Sequence, residues 1–555
     1  MKYMKNITKI LLLVGILLSG VSCNKFFDDM KPTDKVSDKV IWETTTNAEY
    51  NVNYLYDYVY VVVTDQASGS VMTEAYADML KYTSFNAGHP GLFVSQMAYG
   101  APYTEKNFVN VYLGGWHRYT GIMKCNSAIS DLHQYGKMSD EDKARLEAEL
   151  RFTRAFLYFD LMKRYKEVII YDEDMTQYAK DKALSTEAEG WEFIYQDLLF
   201  AAQNLPDRTV SKGRADKGMA WAFMTRAMLY AERYEDVVTA ADEVANLGYG
   251  LEANYADAFM KTNYGGNNEA ILQWHFDRSA NITHRYDYNY TPGGDFSIHL
   301  AKGGGLATPT QEMVESYEKA TGGFIDWTPW HSTTTKTPPY DQLEPRFHAS
   351  ILYNGASWKG RTISPYVGGT DGWKEWYNNT NPAGETTTGY YLKKMVDENH
   401  DVIAYPGGTA PFTILRYAEV LLNKAEACYN LGKTAEANDA VKAIRSRVGL
   451  PYISKGGSDL WTAIRQERRV ELAFEGHWYW DLRRWGVAHK QYPEGLTGYQ
   501  VHGLKITDNG DGTFTYEYVS ADNEDREFQE RMYRLPMPDD ELENNSLVKQ
   551  YPEWR

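Results

Sequence analysis

Apolar and polar positions alternate along much of this chain with the period of a helix. From Glu147 to Tyr165 the residues Leu150, Ala155, Leu157, Tyr158 and Leu161 recur at helical spacing. A second helix is predicted from Trp191 to Leu205, where Pro206-Asp207 stops it. Met219 to Ala231 and Tyr234 to Leu247 predict a helical hairpin across the short polar turn Glu232-Arg233. A further hairpin is predicted from Ile414 to Leu431 and Thr434 to Val448, turning at Gly432-Lys433. Its first helix would align Ile414, Ala418, Leu421, Ala425 and Cys428 on one face. No such hairpin buries its apolar face alone, so the pattern predicts a stack of them, at irregular period.

Residues 250 to 410 break the pattern. They carry Gly265-Gly266, Gly293-Gly294, Gly303-Gly304-Gly305, Gly322-Gly323, Gly368-Gly369 and Pro338-Pro339. A long turn-rich insert between helical hairpins is more often functional than idle, because loops on a rigid scaffold carry binding groups. Five of the fifteen tryptophans fall within it, at Trp327, Trp330, Trp358, Trp373 and Trp376. Trp274 is set apart, because Ala270 to Trp274 reads as a strand. A second aromatic loop runs from Lys81 to Tyr103 and holds Tyr82, Phe85, Asn86, Phe93, Tyr99 and Tyr103. Lys505 to Tyr516 reads as a β-hairpin, with Asn509-Gly510 and Asp511-Gly512 supplying positive φ. Glycines at 510 and 512 occupy slots that a calcium loop fills with oxygen ligands, so the segment is read as a turn.

Charge narrows the partners. The 555 residues hold 58 Lys+Arg against 75 Asp+Glu, a formal net charge of −17, which argues against a nucleic-acid partner. Aromatic residues make up 14% of the chain, enough for a large core, a ring-stacking surface, or both. At the N-terminus, Lys2, Lys5 and Lys9 precede an apolar run from Ile10 to Val21. Twelve helical residues span about 18 Å, short of the ~30 Å hydrocarbon core, so the run reads as a signal segment over residues 1–22. Leu18-Ser19-Gly20-Val21-Ser22-Cys23 resembles a bacterial lipobox, with glycine where leucine is usual three places before the cysteine. The resemblance implies lipidation at Cys23, and several acyl chains would hold a soluble body at a bilayer. Asn24-Lys25-Phe26-Phe27-Asp28-Asp29 looks like the surface-export signal of Bacteroidetes-type lipoproteins. Cys125 and Cys428 fall inside helical apolar patterns and read as buried small hydrophobes.

The chain has no His-Glu-x-x-His, Gly-x-Ser-x-Gly or Cys-x-x-Cys, and its twelve histidines lack metal spacing. Gly432-Lys433-Thr434 ends like a phosphate loop, yet Ala427 replaces the required first glycine and the site joins two helices. No catalytic residue, metal or cofactor is therefore assigned. Carboxylate pairs for glycoside hydrolysis are spaced in three dimensions and leave no mark in a sequence.

Two resemblances complete the picture. Ala427-Cys428-Tyr429-Asn430-Leu431-Gly432-Lys433-Thr434-Ala435-Glu436-Ala437 resembles a tetratricopeptide repeat turn. Ile464-Arg465-Gln466-Glu467-Arg468-Arg469-Val470-Glu471-Leu472-Ala473-Phe474-Glu475-Gly476-His477, followed by Asp481-Leu482-Arg483-Arg484-Trp485-Gly486, resembles the signature of the SusD/RagB family. Glu149 through Arg154-Ala155 to Tyr158-Phe159-Asp160-Leu161, Ile444-Arg445-Ser446-Arg447-Val448-Gly449-Leu450-Pro451 and Leu535-Pro536-Met537-Pro538 match other family phrases in order. Tyr165-Lys166-Glu167-Val168-Ile169 lacks the family's usual glycine and proline, and Trp478 replaces a usual arginine. The resemblance implies a mainly α fold: an irregular tetratricopeptide-like hairpin scaffold with a loop-rich, mixed insert and a small β-hairpin near the C-terminus. The expected division is 23–250, 251–410 and 411–555 after the signal segment. It also implies a non-catalytic outer-membrane lipoprotein that binds a nutrient and caps a SusC-like TonB-dependent transporter.

The charged signature itself reads as structural. Glu467, Glu471 and Glu475 recur four apart among Arg465, Arg468 and Arg469, so they pair along and between helices. The expected ligand is an oligosaccharide, and the acidic surface suits a neutral or weakly charged one better than a polyanion. The expected platform is Trp327, Trp330, Trp358, Trp373 and Trp376 with Tyr82, Asn86, Tyr99 and Tyr103, because flat rings stack on the apolar face of a sugar. Rival expectations are a peptide-binding member of the family, a surface glycoside hydrolase and a protein-interaction scaffold.

Overall fold

The structure, a computed structural model, describes residues 38–67, 72–82, 98–99, 113–208, 213–296, 303–375 and 384–555. The signal segment, Cys23, Asn86, Tyr103 and Trp376 lie outside the described residues.

The molecule is mainly α. Its principal helices are α1 (Thr45–Ala67), α2 (Tyr119–Tyr135), α3 (Asp140–Tyr165), α4 (Glu187–Asn204), α5 (Lys217–Tyr230) and α6 (Tyr234–Asn246). After the insert follow α7 (Tyr417–Asn430), α8 (Thr434–Arg447), α9 (Gly457–Glu471) and the short α10 (Trp478–Arg484). Local chemistry sets their starts. Ser139 accepts the Asp142 N–H ahead of α3, Thr186 and Glu189 form a capping box on α4, and Asp216 accepts the Met219 N–H on α5. Both expected hairpins form. Glu232 at φ 56° and Gly432 at φ 72° turn the chain between their helices.

Neighbouring helices pack in order from α2 to α6, and α6 then packs directly on α7, although residues 247–416 lie between them in sequence. The insert is therefore looped out of a continuous helical stack. Cys125 and Cys428 are buried free thiols in it, and burial pushes them up to about 12 and about 11. No helix among the described residues is long and apolar enough to cross a membrane.

One expected boundary moves. Residues 414–416, expected as the start of a helix, belong instead to a strand, β8 (Phe412–Arg416), antiparallel to β2 (Ala270–Trp274) with Trp274 opposite Phe412. A short apolar run suits either element, and here the distant β2 supplies the backbone partners. The insert adds further two-stranded ribbons, β4 (Ile351–Leu352) with β7 (Tyr391–Leu392) and β5 (Ser357–Trp358) with β6 (Arg361–Thr362), and its β3 (Ala307–Pro309) pairs with β1 (Leu80–Tyr82) from before it. The expected C-terminal hairpin pairs β9 (His502–Asp508) with β10 (Phe514–Ser520).

A buried ion network fastens insert to stack. Glu471, at the end of α9, accepts from Arg416 at 2.6 Å, Arg346 at 3.0 Å and Arg447 at 2.5 Å. Arg346 also binds Glu344 and Glu467, and Arg416 binds Glu269 and Glu475. Burial alone would raise the Glu471 carboxyl, but Arg447, Arg416 and Arg346 hold it well below the usual carboxylate range. Burial outweighs the arginines at Glu269 and Glu344, whose carboxyls are raised. The signature carboxylates are thus tied up in structure.

Candidate functional site

The β9–β10 hairpin stands between the two tryptophan-bearing stretches of the insert. Leu504, Ile506 and Tyr516 bury one of its faces. Along the β10 edge, Thr334 and Tyr516 exchange backbone hydrogen bonds of 2.9 and 2.8 Å; along the β9 edge, Val367 N–H donates to the Ile506 carbonyl at 2.9 Å. At the tip, Asp508 accepts the Gly510 N–H and Asp511 accepts the Thr513 N–H and hydroxyl. The aspartates there close a turn.

Partly exposed rings gather on both flanks. On one side the Trp330 ring meets Trp327 edge-on at 5.5 Å, and its Nε1 donates to the Lys336 carbonyl at 2.9 Å. Next to it a ladder forms: His331 lies 4.7 Å from Tyr518, which stacks at 4.3 Å on His502. The Glu315 carboxylate lies 2.8 Å from His331 Nε2, and Glu312 lies 2.7 Å from His502 Nδ1. Burial pushes the Glu312 carboxyl up, against the pull of His502. On the other side Trp373 is half-buried. Its Nε1 donates to Glu375 at 3.4 Å, and Lys505 donates to the same carboxylate at 2.7 Å. Tyr366 and Phe514 pack at 5.4 Å beyond it.

Four expected ligand rings belong to the core instead. Trp358 is 0% exposed and its Nε1 donates to the Asp295 carboxylate at 2.9 Å. Asp295 is one end of a knot in which Arg361 donates to Asp295 at 2.7 Å and to Asp371 at 2.8 Å. Burial opposes the ionised form of Asp295, yet hydrogen bonds from Thr291, Trp358 and Arg361 hold its carboxyl below the usual range. Beside the knot the backbones close so tightly that a Cβ on Gly293 would lie 1.8 Å from the Gly384 carbonyl oxygen. Trp327 is 4% exposed against Tyr340. Tyr82 is buried, its hydroxyl accepting the Met72 N–H at 2.9 Å. Tyr99 is buried with its hydroxyl on Asp522 at 3.2 Å, beside the Lys81–Asp522 ion pair. Glycine-rich sequence here packs backbones together; it does not splay rings into solvent.

Trp330 and Trp373 therefore remain partly exposed on opposite flanks of the hairpin, with Tyr518, His331 and His502 beside the first and Tyr366 and Phe514 on the side of the second, rings which the sequence left unassigned. The alternation Phe514, Tyr516, Tyr518 along the predicted hairpin was the available signal. Glu312, Glu315 and Glu375 are each engaged by an imidazole or a lysine. The arrangement offers stacking and hydrogen bonding. Among the described residues, no three His, Cys, Asp or Glu side chains are grouped to hold a metal.

Comparison with known proteins agrees with this architecture. Residues 29–229 match a family model described as starch-binding associating with outer membrane. A SusD-like protein of Bacteroides ovatus is 24% identical over 484 residues, covering 79% of this chain and 80% of its own. The crystal structure of a SusD-like protein from Bacteroides fragilis superposes with a TM-score of 0.78 at 28% identity, over 94% of this chain and 99% of that one. A SusD-like carbohydrate binding protein from the same species superposes with a TM-score of 0.70 at 22% identity, over 92% and 100%. Residues 268–554, more than half of the sequence, match the model of the SusD family, and the chain belongs to that family.

Proposed function

We propose that this protein is a non-catalytic surface lipoprotein of the outer membrane that captures a neutral glycan and hands it to a SusC-like TonB-dependent transporter. The carrying observation is the set of partly exposed rings around the β9–β10 hairpin, with Trp330 and the His331–Tyr518–His502 ladder on one flank and Trp373 on the other. His502, Phe514 and Tyr518 sit on the paired strands β9 and β10, which limits the ordering cost of binding there. The starch-binding description of the matched N-terminal model and the carbohydrate-binding neighbour favour a sugar ligand. The net charge of −17 favours an uncharged one. Cys23 supplies the acyl anchor, and the extended outer surface of the helical stack offers a face for the transporter barrel.

The test is retention of purified protein on immobilised starch, other neutral polysaccharides and one sulfated polysaccharide, with chromatography of the soluble phase. Retention on a neutral glycan without release of product sugars is expected. Product sugars would convert the assignment to a glycoside hydrolase, and retention on no glycan would leave peptide capture or scaffolding.

A further inference from the structure

Away from the hairpin face, a groove of about 1070 Å³ opens between α1, the segment leading into α5, and the end of β2. That is ligand-pocket size. Its walls hold the rings of Tyr56, Tyr60, Phe152, Tyr264 and Trp274 with the imidazole of His275. Tyr60 of α1 and Trp274 of β2 stack at 4.8 Å and 22°, and Tyr264 faces His275 at 5.6 Å. In the sequence Trp274 reads as the end of a strand. It does end one, and the strand delivers its half-buried ring to the groove.

The polar groups share one character. Asp57, Asn281 and Thr283 line the groove, and none of the three side chains makes a hydrogen bond among the described residues. Behind them the supports are already committed: Asn263 Oδ1 lies 3.0 Å from His275 Nε2, and the Arg214 guanidinium is paired with buried Glu149 at 2.7 Å. Burial lowers the His275 pKa, so its imidazole is neutral at pH 7. Among the described lining residues Asp57 is then the one charge without an ion pair, which disfavours anionic ligands. A planar carboxamide, which donates and accepts along one edge, beside a carboxylate, which accepts, matches adjacent hydroxyls of a polyol, and rings match its C–H face. Tyr50 and Tyr54, 70% and 64% exposed, continue the same face of α1 beyond the groove.

We infer that this groove is a second carbohydrate site, taking neutral sugar rings of the same polymer class as the hairpin face. The inference rests on the proposed glycan function for its ligand class, and on its own geometry for its place. Two sites on one rigid body raise the affinity for a long chain above that for a short one, through effective concentration.

The test is calorimetry with a panel of neutral hexasaccharides headed by maltohexaose, on the wild type, on Asp57→Trp, which fills the groove from an exposed helical position, and on Trp330→Ala/Trp373→Ala. Tyr60→Ala serves as the second groove variant if Asp57→Trp does not melt like wild type. Two bound hexasaccharides per wild-type chain, falling to one in either variant, is the expected result. One per chain, lost with Asp57→Trp and kept in the tryptophan variant, would uphold the groove while sinking the hairpin face. One per chain, kept in Asp57→Trp, or no binding to any member of the panel, would overturn the groove.

Discussion

Replacing Glu471 by glutamine keeps its shape and removes one charge from the middle of the buried network. Three arginines lose a carboxylate at 2.5–3.0 Å, yet none is left bare: Arg346 keeps Glu344 and Glu467, Arg416 keeps Glu269 and Glu475, and Arg447 keeps Glu269. Breaking a buried pair costs about 3–5 kcal/mol, and the retained partners place E471Q near the lower end, about 3 kcal/mol. Unfolding entropy of about 2.1 cal/mol/K per residue over roughly 500 residues gives about 1 kcal/mol per degree, so Tm should fall by about 3 °C. Denaturant unfolding followed by tryptophan fluorescence should show a lowered midpoint at unchanged slope. Exposed Glu141→Gln is the control and should match wild type. The pH dependence has a definite sign. The folded carboxyl of Glu471 is held below its unfolded value of about 4.3, so its contribution is complete above that value and is lost as pH falls through the folded one. The gap between wild type and E471Q should therefore be constant from pH 6 to 8 and close below about pH 4. Glycan affinity should not change. An E471Q midpoint within about 1 kcal/mol of wild type at pH 7 would refute a fastening role, and lost glycan binding in a stably folded E471Q would put the signature carboxylates back among functional groups.

Trp327→Ala and Trp330→Ala should separate core from face: the first lowers stability by about 3–5 kcal/mol, while the second leaves the melt nearly unmoved. Equal thermal melts for the two would reverse that division. Cys23→Ala should leave the protein folded and release it from the membrane fraction, and sedimentation with outer membranes like wild type would remove the lipid anchor. Extraction of native membranes in mild detergent should recover the protein with its transporter at fixed stoichiometry; recovery alone, with the transporter expressed, would count against the partnership.

The scaffold was legible because helices announce themselves locally. Spacing placed the hairpins around Glu232 and Gly432, and Asn-Gly with Asp-Gly placed the C-terminal turn. The failures share one cause, contact with residues remote in sequence. Phe412 to Arg416 is a strand because β2 lies beside it, and nothing within that run says so. Trp358 reads as part of an exposed ring platform, but Asp295, 63 residues earlier, takes its indole N–H in the core. Trp274 read correctly as a strand residue while its position at a groove went unseen, since a strand's end is not visible as a wall. Fold followed from periodicity; ring exposure depended on tertiary neighbours.

Whether the hairpin face holds a glycan is tested most directly by calorimetry with the retained polysaccharide on wild type and on Trp330→Ala/Trp373→Ala. A stacked ring contributes about 1–3 kcal/mol, so the double variant should bind at least tenfold more weakly while melting within a few degrees of wild type. Unchanged affinity in a stably folded double variant would contradict capture at this face.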